Sequence, residues 1–246
     1  MSSIARFARR VVERVAHHRG YELKMRDAPP RGFDSFLEYV RDQGLSPRTV
    51  FDVGVGRGTP WLYSAFPNAH HVLIEPQREF EPCLRKICED YDAEYHLVGA
   101  AASEGQSTMH RRESDLTGSS FRLDTAEEAA RHGPMQMTDV ALPVRPLDSF
   151  ADRPPPFVLK IDTEGYELNV LQGASQILAQ TELLLTEVAV QPRHEGEADL
   201  GELSSLLRSH GLRLFDIPVL TQRSVGGPLA YMDVAFAKCG GVLVPN

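Results

Sequence analysis

The chain has 246 residues, of which 42% are apolar and 24% charged, and a formal net charge of -8. That balance fits one large globular domain with a substantial core and argues against general nucleic-acid binding, which needs a clustered basic footprint. Cys83, Cys88 and Cys239 form no CxxC pair and no cluster with histidine, so reduced thiols and a cytoplasmic setting are expected.

At the N-terminus Ile4, Phe7, Val11 and Val15 recur at helical spacing, with Arg6, Arg9, Arg10 and Arg14 on other faces. An amphipathic helix capping the domain is expected, and contact with an anionic membrane or a partner is the alternative. The stretch lacks the apolar run and cleavage site of a signal peptide, and no segment reaches transmembrane length. A second short helix is predicted over 33–43, closed by Gly44.

From Ser46 the pattern alternates. "TVFDVG", "HHVLIEP", "EYHLVGAA", "FVLKID" and "ELLLTEV" read as five strands, separated by helical stretches at 61–66, 78–89 and 164–179. Buried strands alternating with helices predict an α/β fold with a parallel, doubly wound sheet. Residues 104–139 are polar and too long for an ordinary connection, so a partly ordered insertion or lid is expected there. A helix at 200–210 leads to "LRLFDIPVL" and "LAYMDVAFAK", which read as a closing hairpin around "TQRSVGGP". The pairs His17-His18 and His70-His71 read as solvated helix and loop residues.

Two motifs carry chemistry. In "FDVGVGRGTP", Gly54, Gly56 and Gly58 follow the first strand, where open α/β sheets bind ligands and where a chain without Cβ atoms lets a ligand approach the backbone. No GK[ST] follows, which excludes a P-loop, and the spacing differs from the dinucleotide G-x-G-x-x-G. Asp52 precedes the loop, and Glu75 ends the second strand 21 positions after Gly54, where it can accept hydrogen bonds from ribose hydroxyls. A neutral loop, an adjacent carboxylate and a ribose acid describe S-adenosyl-L-methionine, with NAD as the rival. In "FVLKIDTEGYELNVLQGA", Lys160, Asp162 and Glu164 cluster at the carboxyl end of a buried strand, facing the same crevice. Either they form a structural salt bridge and a favourable helix N-terminus, or Asp162 and Glu164 floor an active site.

"VFDVGVGRG", "VLIEP", "RPLDSF" and above all "LKIDTEGYELNVLQGA" resemble the FkbM family of S-adenosylmethionine-dependent methyltransferases, over about residues 49–188, with "MDVAFAK" similar to its closing strand. The resemblance implies a Rossmann-like methyltransferase fold, in which the hairpin supplies the last two strands, and O-methylation of a sugar or natural-product hydroxyl. The residue pattern divides the chain into an N-terminal helical segment over 1–44, for which the family offers no pattern, and a methyltransferase domain over 45–246. By the same resemblance Asp52, Gly54, Gly56 and Glu75 hold the cofactor, Gly58 completes their loop, and Asp162, Glu164 and Gly165 border the transfer site. "TGSSF", Thr117 to Phe121, is similar to a serine pair of that family. Arg57 departs from the family's usual loop and is expected to point to solvent.

For proton transfer, Asp162 or Glu164, assisted by Glu187 at the end of the fifth strand, is the expected base, and His194 in the following loop is the second candidate. The same three acids are hard oxygen ligands, so a divalent ion such as magnesium that orients a diol stays open. The expected partner is a small-molecule or glycan acceptor. An NAD-dependent oxidoreductase and a non-catalytic adenosyl-binding protein are the competing readings.

Overall fold

The computed structural model describes residues 32–133, 136–222 and 227–245; the amphipathic stretch around Ile4 to Val15 lies outside them. Gly32–Asn246 form one compact unit. Its first helix, α1 (Phe33–Asp42), buries Phe36, Leu37 and Val40 on one face, as the i, i+3, i+4 spacing of apolar residues demands. There follow β1 (Thr49–Val53), α2 (Pro60–Ala65), β2 (His70–Ile74), α3 (Glu81–Asp90) and β3 (Ala93–His96).

The chain then leaves the main sheet for β4 (Gly99–Ala100), β5 (Gly105–Arg112), α4 (Ala126–His132) and β6 (Met137–Arg145). It returns through β7 (Phe157–Ile161), α5 (Glu167–Gln172), α6 (Ser175–Ala179), β8 (Thr181–Ala189), α7 (Leu200–Ser209), β9 (Leu212–Gln222) and β10 (Leu229–Lys238). The seven-stranded sheet has the order β3-β2-β1-β7-β8-β10-β9, with the first five strands parallel and β10 antiparallel to both its neighbours. This is the doubly wound sheet with a terminal hairpin expected from the strand pattern.

β1 and β7 sit in the middle and are buried along their whole length, so apolar residues occupy both faces, with Thr49, Asp52 and Lys160 the exceptions. One core packs on the face carrying Phe51, Val53, Leu159 and Ile161; a second packs on the face carrying Val50 and Val158. Each such side chain contributes about 1.5–3 kcal/mol on burial. Among the described residues, no helix is long and apolar enough to cross a membrane.

Four local readings are corrected. The third strand splits: Ala93–His96 edges the main sheet, while Gly99–Ala100 pairs with β6 in a separate three-stranded sheet, β4-β6-β5. The polar insertion, expected to be only partly ordered, is built on a strand pair running from Gly105↔Val144 to Arg112↔Met137, with α4 between the two strands. The helix at 164–179 breaks in two at Gly173, where any Cβ would sit 2.1 Å from the Ala101 carbonyl oxygen. His71 is not solvated but fully buried in β2, its ring packed against Tyr63 and Tyr91.

Candidate active site

Parallel register sets Asp52 beside Lys160, and strand alternation puts both on one face. Two buried charges side by side must be paired, and they are: Lys160 Nζ lies 3.1 Å from Asp52 Oδ1 and donates to the Gly54 carbonyl at 2.8 Å. The other Asp52 oxygen accepts from the Tyr63 hydroxyl of α2, and Tyr63 Oη in turn accepts from the Thr59 amide at 3.1 Å. Burial lowers the Lys160 pKa less than Asp52 and Asp162 raise it, so the ammonium stays charged. Asp52, fully buried and outside the cleft lining, thus underpins the glycine loop from below and does not face the ligand space.

The glycines serve different ends. Gly54, at φ +75°, is forced by packing: a Cβ would lie 1.8 Å from the Asp162 carbonyl oxygen. Gly58, at φ +111°, approaches Ile87, whereas Gly56, at φ +52°, opens towards the cleft, with Thr117 its nearest neighbour at 3.8 Å. Arg57 between them is exposed, as expected. Glu75 directly follows β2 and is almost fully buried; its Oε2 accepts from the Gly56 amide and its Oε1 from the Gln77 amide, each at 2.9 Å. Each oxygen keeps lone pairs for a ligand. Burial pushes this carboxyl up to about 7, against the pull of the two amides.

These residues open onto a cleft of about 510 Å³ lined by Gly54, Gly56, Gly58, Glu75, Asp162 and Glu164 among others, a size typical of small-molecule sites. Phe33 and Trp61 stack at 3.8 Å in its wall. Asp162 is half exposed at the end of β7, its Oδ2 3.7 Å from Lys160 Nζ.

Glu164 holds a left-handed backbone, φ +51°, unusual for a residue with a side chain. Two neighbours hold it there. The Ser120 hydroxyl donates to its carbonyl at 2.6 Å, and the buried Glu167 carboxylate accepts from the Thr163 and Gly165 amides at 2.9 and 3.2 Å. Burial raises Glu167 to about 7. The serine of the "TGSSF" stretch thus shapes the turn, while Thr117, Ser119 and Phe121 line the cleft.

Beyond Glu164 lies a charged network that sequence did not reveal. Arg193 pairs with Glu187, with Glu164 at 3.4 Å and with Glu197 at 3.7 Å, and its guanidinium sits over the Tyr231 ring. Burial alone would lower the Arg193 pKa; the three carboxylates outweigh it and hold the group charged. Burial likewise raises Glu187 well above the ordinary carboxylate range. For Glu164, burial is outweighed by His194 and Arg193, and its pKa is lowered.

His194 is placed behind the cleft. It is 1% exposed, its Cδ2 would meet a Gly165 Cβ at 2.7 Å, and its ring lies between Asp124, at 3.2 Å, and Glu164, at 4.0 Å. It does not line the cleft, and Glu164 stands between its ring and that space. Asp124 is gripped by both contacts of Arg112 at 2.9 Å, tying the small sheet to this network. Arg193 fills the space between Glu164 and Glu187 where a cation would bind, and among the described residues no group of three His, Cys, Asp or Glu side chains is arranged for a metal.

Asp162, Glu164 and Glu187 therefore do converge on one cleft, joined there by Tyr231 and Asp233 of β10. Asp233 left a readable signal, a carboxylate interrupting the apolar strand "LAYMDVAFAK"; Arg193, in an irregular loop, left none. A second cavity of about 360 Å³ shares Thr117, Glu164 and Tyr231 with the first and adds Arg112 and Arg131.

No curated protein sequence matches the chain. The crystal structure of methyltransferase FkbM from Methylobacillus flagellatus superposes with a TM-score of 0.51 at 19% identity, covering 84% of this chain and 48% of that one. The chain thus spans about half of that protein's length. Magnesium protoporphyrin IX methyltransferase from Synechocystis, solved with bound SAM, gives a TM-score of 0.45 at 9% identity, covering 84% and 77%. The 1,6-didemethyltoxoflavin-N1-methyltransferase from Burkholderia thailandensis gives 0.43 at 14%, covering 97% and 91%. The profile of the methyltransferase FkbM domain matches residues 52–214. That span runs from Asp52 in β1 through the hairpin's first residues, and the chain belongs to the FkbM methyltransferase domain family.

Proposed function

We propose that the chain is an S-adenosylmethionine-dependent methyltransferase that methylates a hydroxyl of a saccharide or similar polyhydroxylated small molecule. The observation that carries this reading is the pairing of Glu75 with the glycine loop, in a cleft lined by two cations among the described residues, the exposed Arg57 and Lys160. Its lining lysine, Lys160, is turned under the loop onto the Gly54 carbonyl and two aspartates. A ligand there meets backbone amides and carboxylates. That suits a phosphate-free adenosine bearing a positive sulfonium, and it disfavours the pyrophosphate of NAD. Membership of the FkbM family supports the same reaction.

Glu75 is placed to accept from the ribose hydroxyls, Gly54 and Gly56 to let the cofactor's amino-acid portion approach the backbone, and Asp162 to face its positive end. The cofactor supplies the activated methyl group. The chain supplies alignment of acceptor oxygen, methyl carbon and sulfur, an effect that can account for about 7–11 kcal/mol of the barrier. The acceptor half is lined by Thr186, Glu187, Thr221 and Tyr231, and the second cavity extends it past Glu164. Such a wall of hydroxyls and carboxylates hydrogen-bonds a polyol better than an apolar substrate.

Thermal-shift measurements with S-adenosylmethionine, S-adenosylhomocysteine and NAD test the reading. A ligand at 100 times its dissociation constant stabilises the fold by about 2.7 kcal/mol. Stabilisation by the first two but not by NAD is expected. Stabilisation by NAD alone rejects the proposal, and cofactor binding with no methylated product from any hydroxyl acceptor identifies a non-catalytic binding protein.

A further inference from the structure

We infer that Asp233 is the group that takes the acceptor's hydroxyl proton, a catalytic role placed on the terminal hairpin beside the Glu164 turn; this rests on the methyltransfer reading above. Four carboxylates line the acceptor half: Asp162, Glu164, Glu187 and Asp233. Three already have cationic partners. Asp162 faces Lys160 at 3.7 Å, and Glu164 and Glu187 are both held by Arg193. Each of those three carboxyls is held in contact with a cation and would have to give up that contact to turn towards an acceptor hydroxyl. Asp233 is the exception: among the described residues it has no hydrogen bond and no ion pair, although it is half-buried in the cleft wall.

The sheet explains its position. β10 runs antiparallel to β8 with Asp233 opposite Glu187, so the carboxyl end of β8 and the amino-terminal half of β10 deliver their acids to the same rim. Asp162 and Lys160 come from β7, Glu187 from β8 and Arg193 from the loop after it, while β9 sets Val219 opposite Asp233. Burial and the neighbouring Asp162 raise the Asp233 carboxyl to about 7, offset in part by Lys160 and Arg193. A group balanced near neutrality can both accept a proton and release it to solvent.

In the step, an acceptor hydroxyl oxygen bonds to the methyl carbon while the carbon–sulfur bond breaks and its electron pair returns to sulfur. The oxygen's proton passes to the Asp233 carboxylate. The products are a methyl ether, a neutral thioether and a neutral carboxylic acid, so the cofactor's positive charge and the carboxylate's negative charge cancel.

The test uses the full chain and Asp233→Asn. Calorimetry with S-adenosylhomocysteine is expected to give the same affinity for both proteins within about twofold. With labelled methyl donor over a panel of mono- and disaccharides, Asp233→Asn is expected to lose about 10²- to 10⁴-fold in kcat at saturating cofactor and to lose the acidic limb of the pH profile. Carbon NMR of the protein labelled at the aspartate carboxyls is expected to show one signal titrating near neutrality that disappears in the variant. Undiminished kcat, or an affinity for S-adenosylhomocysteine that falls in step with kcat, overturns the inference. So does an Asp233 signal titrating at the ordinary aspartate value, which decides the matter even if no panel member turns over. Failure of the unaltered protein to bind S-adenosylhomocysteine overturns the methyltransfer reading instead.

Discussion

The two ends of the cleft are built by opposite means. At the loop end the ligand surface is backbone, set by three glycines with positive φ and pinned by Glu75, all within residues 54–77. At the acceptor end it is charge, assembled from Glu164, Glu187, Arg193 and Asp233, with Arg112 tying the small sheet to it through Asp124. A surface of amides and carbonyls carries its own hydrogen-bond partners. Buried charges hold only as a set, since each lost partner strands the others. The loop end should therefore fail through geometry and the acceptor end through electrostatics.

The largest expected effect strikes the acceptor end. Arg193→Ala leaves Glu187 and Glu164 without their shared cation, and removing one partner from a buried pair costs about 3–5 kcal/mol. Thermal unfolding should show it as a large fall in Tm. Arg193→Lys should recover only part, because a point charge cannot fork between three carboxylates. A loss below about 1 kcal/mol, the scale of a solvated surface pair, would mean that the network contributes little.

The loop end gives the matched experiment. Gly54→Ala puts a Cβ into the Asp162 carbonyl and into a left-handed backbone, and together the strain and overpacking amount to about 3 kcal/mol. Gly56→Ala meets nothing closer than 3.8 Å and should cost only the backbone strain, about 1–2 kcal/mol. Equal losses in the two variants would show that β7 yields to the intruding atom and that the loop is not fixed by packing.

The same contrast decides what could be read from sequence. The loop end was legible because its chemistry is local: glycines after an apolar strand, and an acid closing the next one. The role given to Asp52 was not legible, since Tyr63 and Lys160, which draw it beneath the loop, act across the sheet and through α2. His194 read as a free loop base because nothing in its own segment shows that Gly165 leaves room for its ring. Arg193 had no periodicity to mark it, and its partners lie on elements joined only by the fold. The break at Gly173 depends on the Ala101 backbone, about seventy residues away in the chain.

A smaller effect separates binding from folding. Glu75→Ala should weaken S-adenosylhomocysteine by about 1.5–3 kcal/mol, the scale of hydrogen bonds to a charged group, or roughly 10- to 150-fold by calorimetry. Unchanged affinity would falsify Glu75 as the ribose ligand and leave it as a brace for the Gly56 and Gln77 amides.

The smallest effect is a slope with pH, and it tests both ends at once. Burial raises Glu75 at the loop end, and Glu167 beneath the Glu164 turn, to about 7. The unfolded chain releases those protons near its ordinary value, about 4.3. Between these limits the folded protein binds more protons than the unfolded one, so stability falls as pH rises through the window. With both groups almost fully buried, the slope approaches about 1 kcal/mol per pH unit for each. Melting followed from pH 5 to pH 8 without ligand should show Tm declining, with the raised Asp233 and Glu187 carboxyls adding to the slope, and Glu167→Gln should flatten part of the decline. Ligand binding should run the other way, because the ionised Glu75 is the better acceptor for ribose hydroxyls. The stabilisation by S-adenosylhomocysteine should therefore grow over the same interval in which the free protein weakens. A flat profile in the free protein would show that water reaches both carboxylates, and the loop end would then be no better sealed than the charged end opposite it.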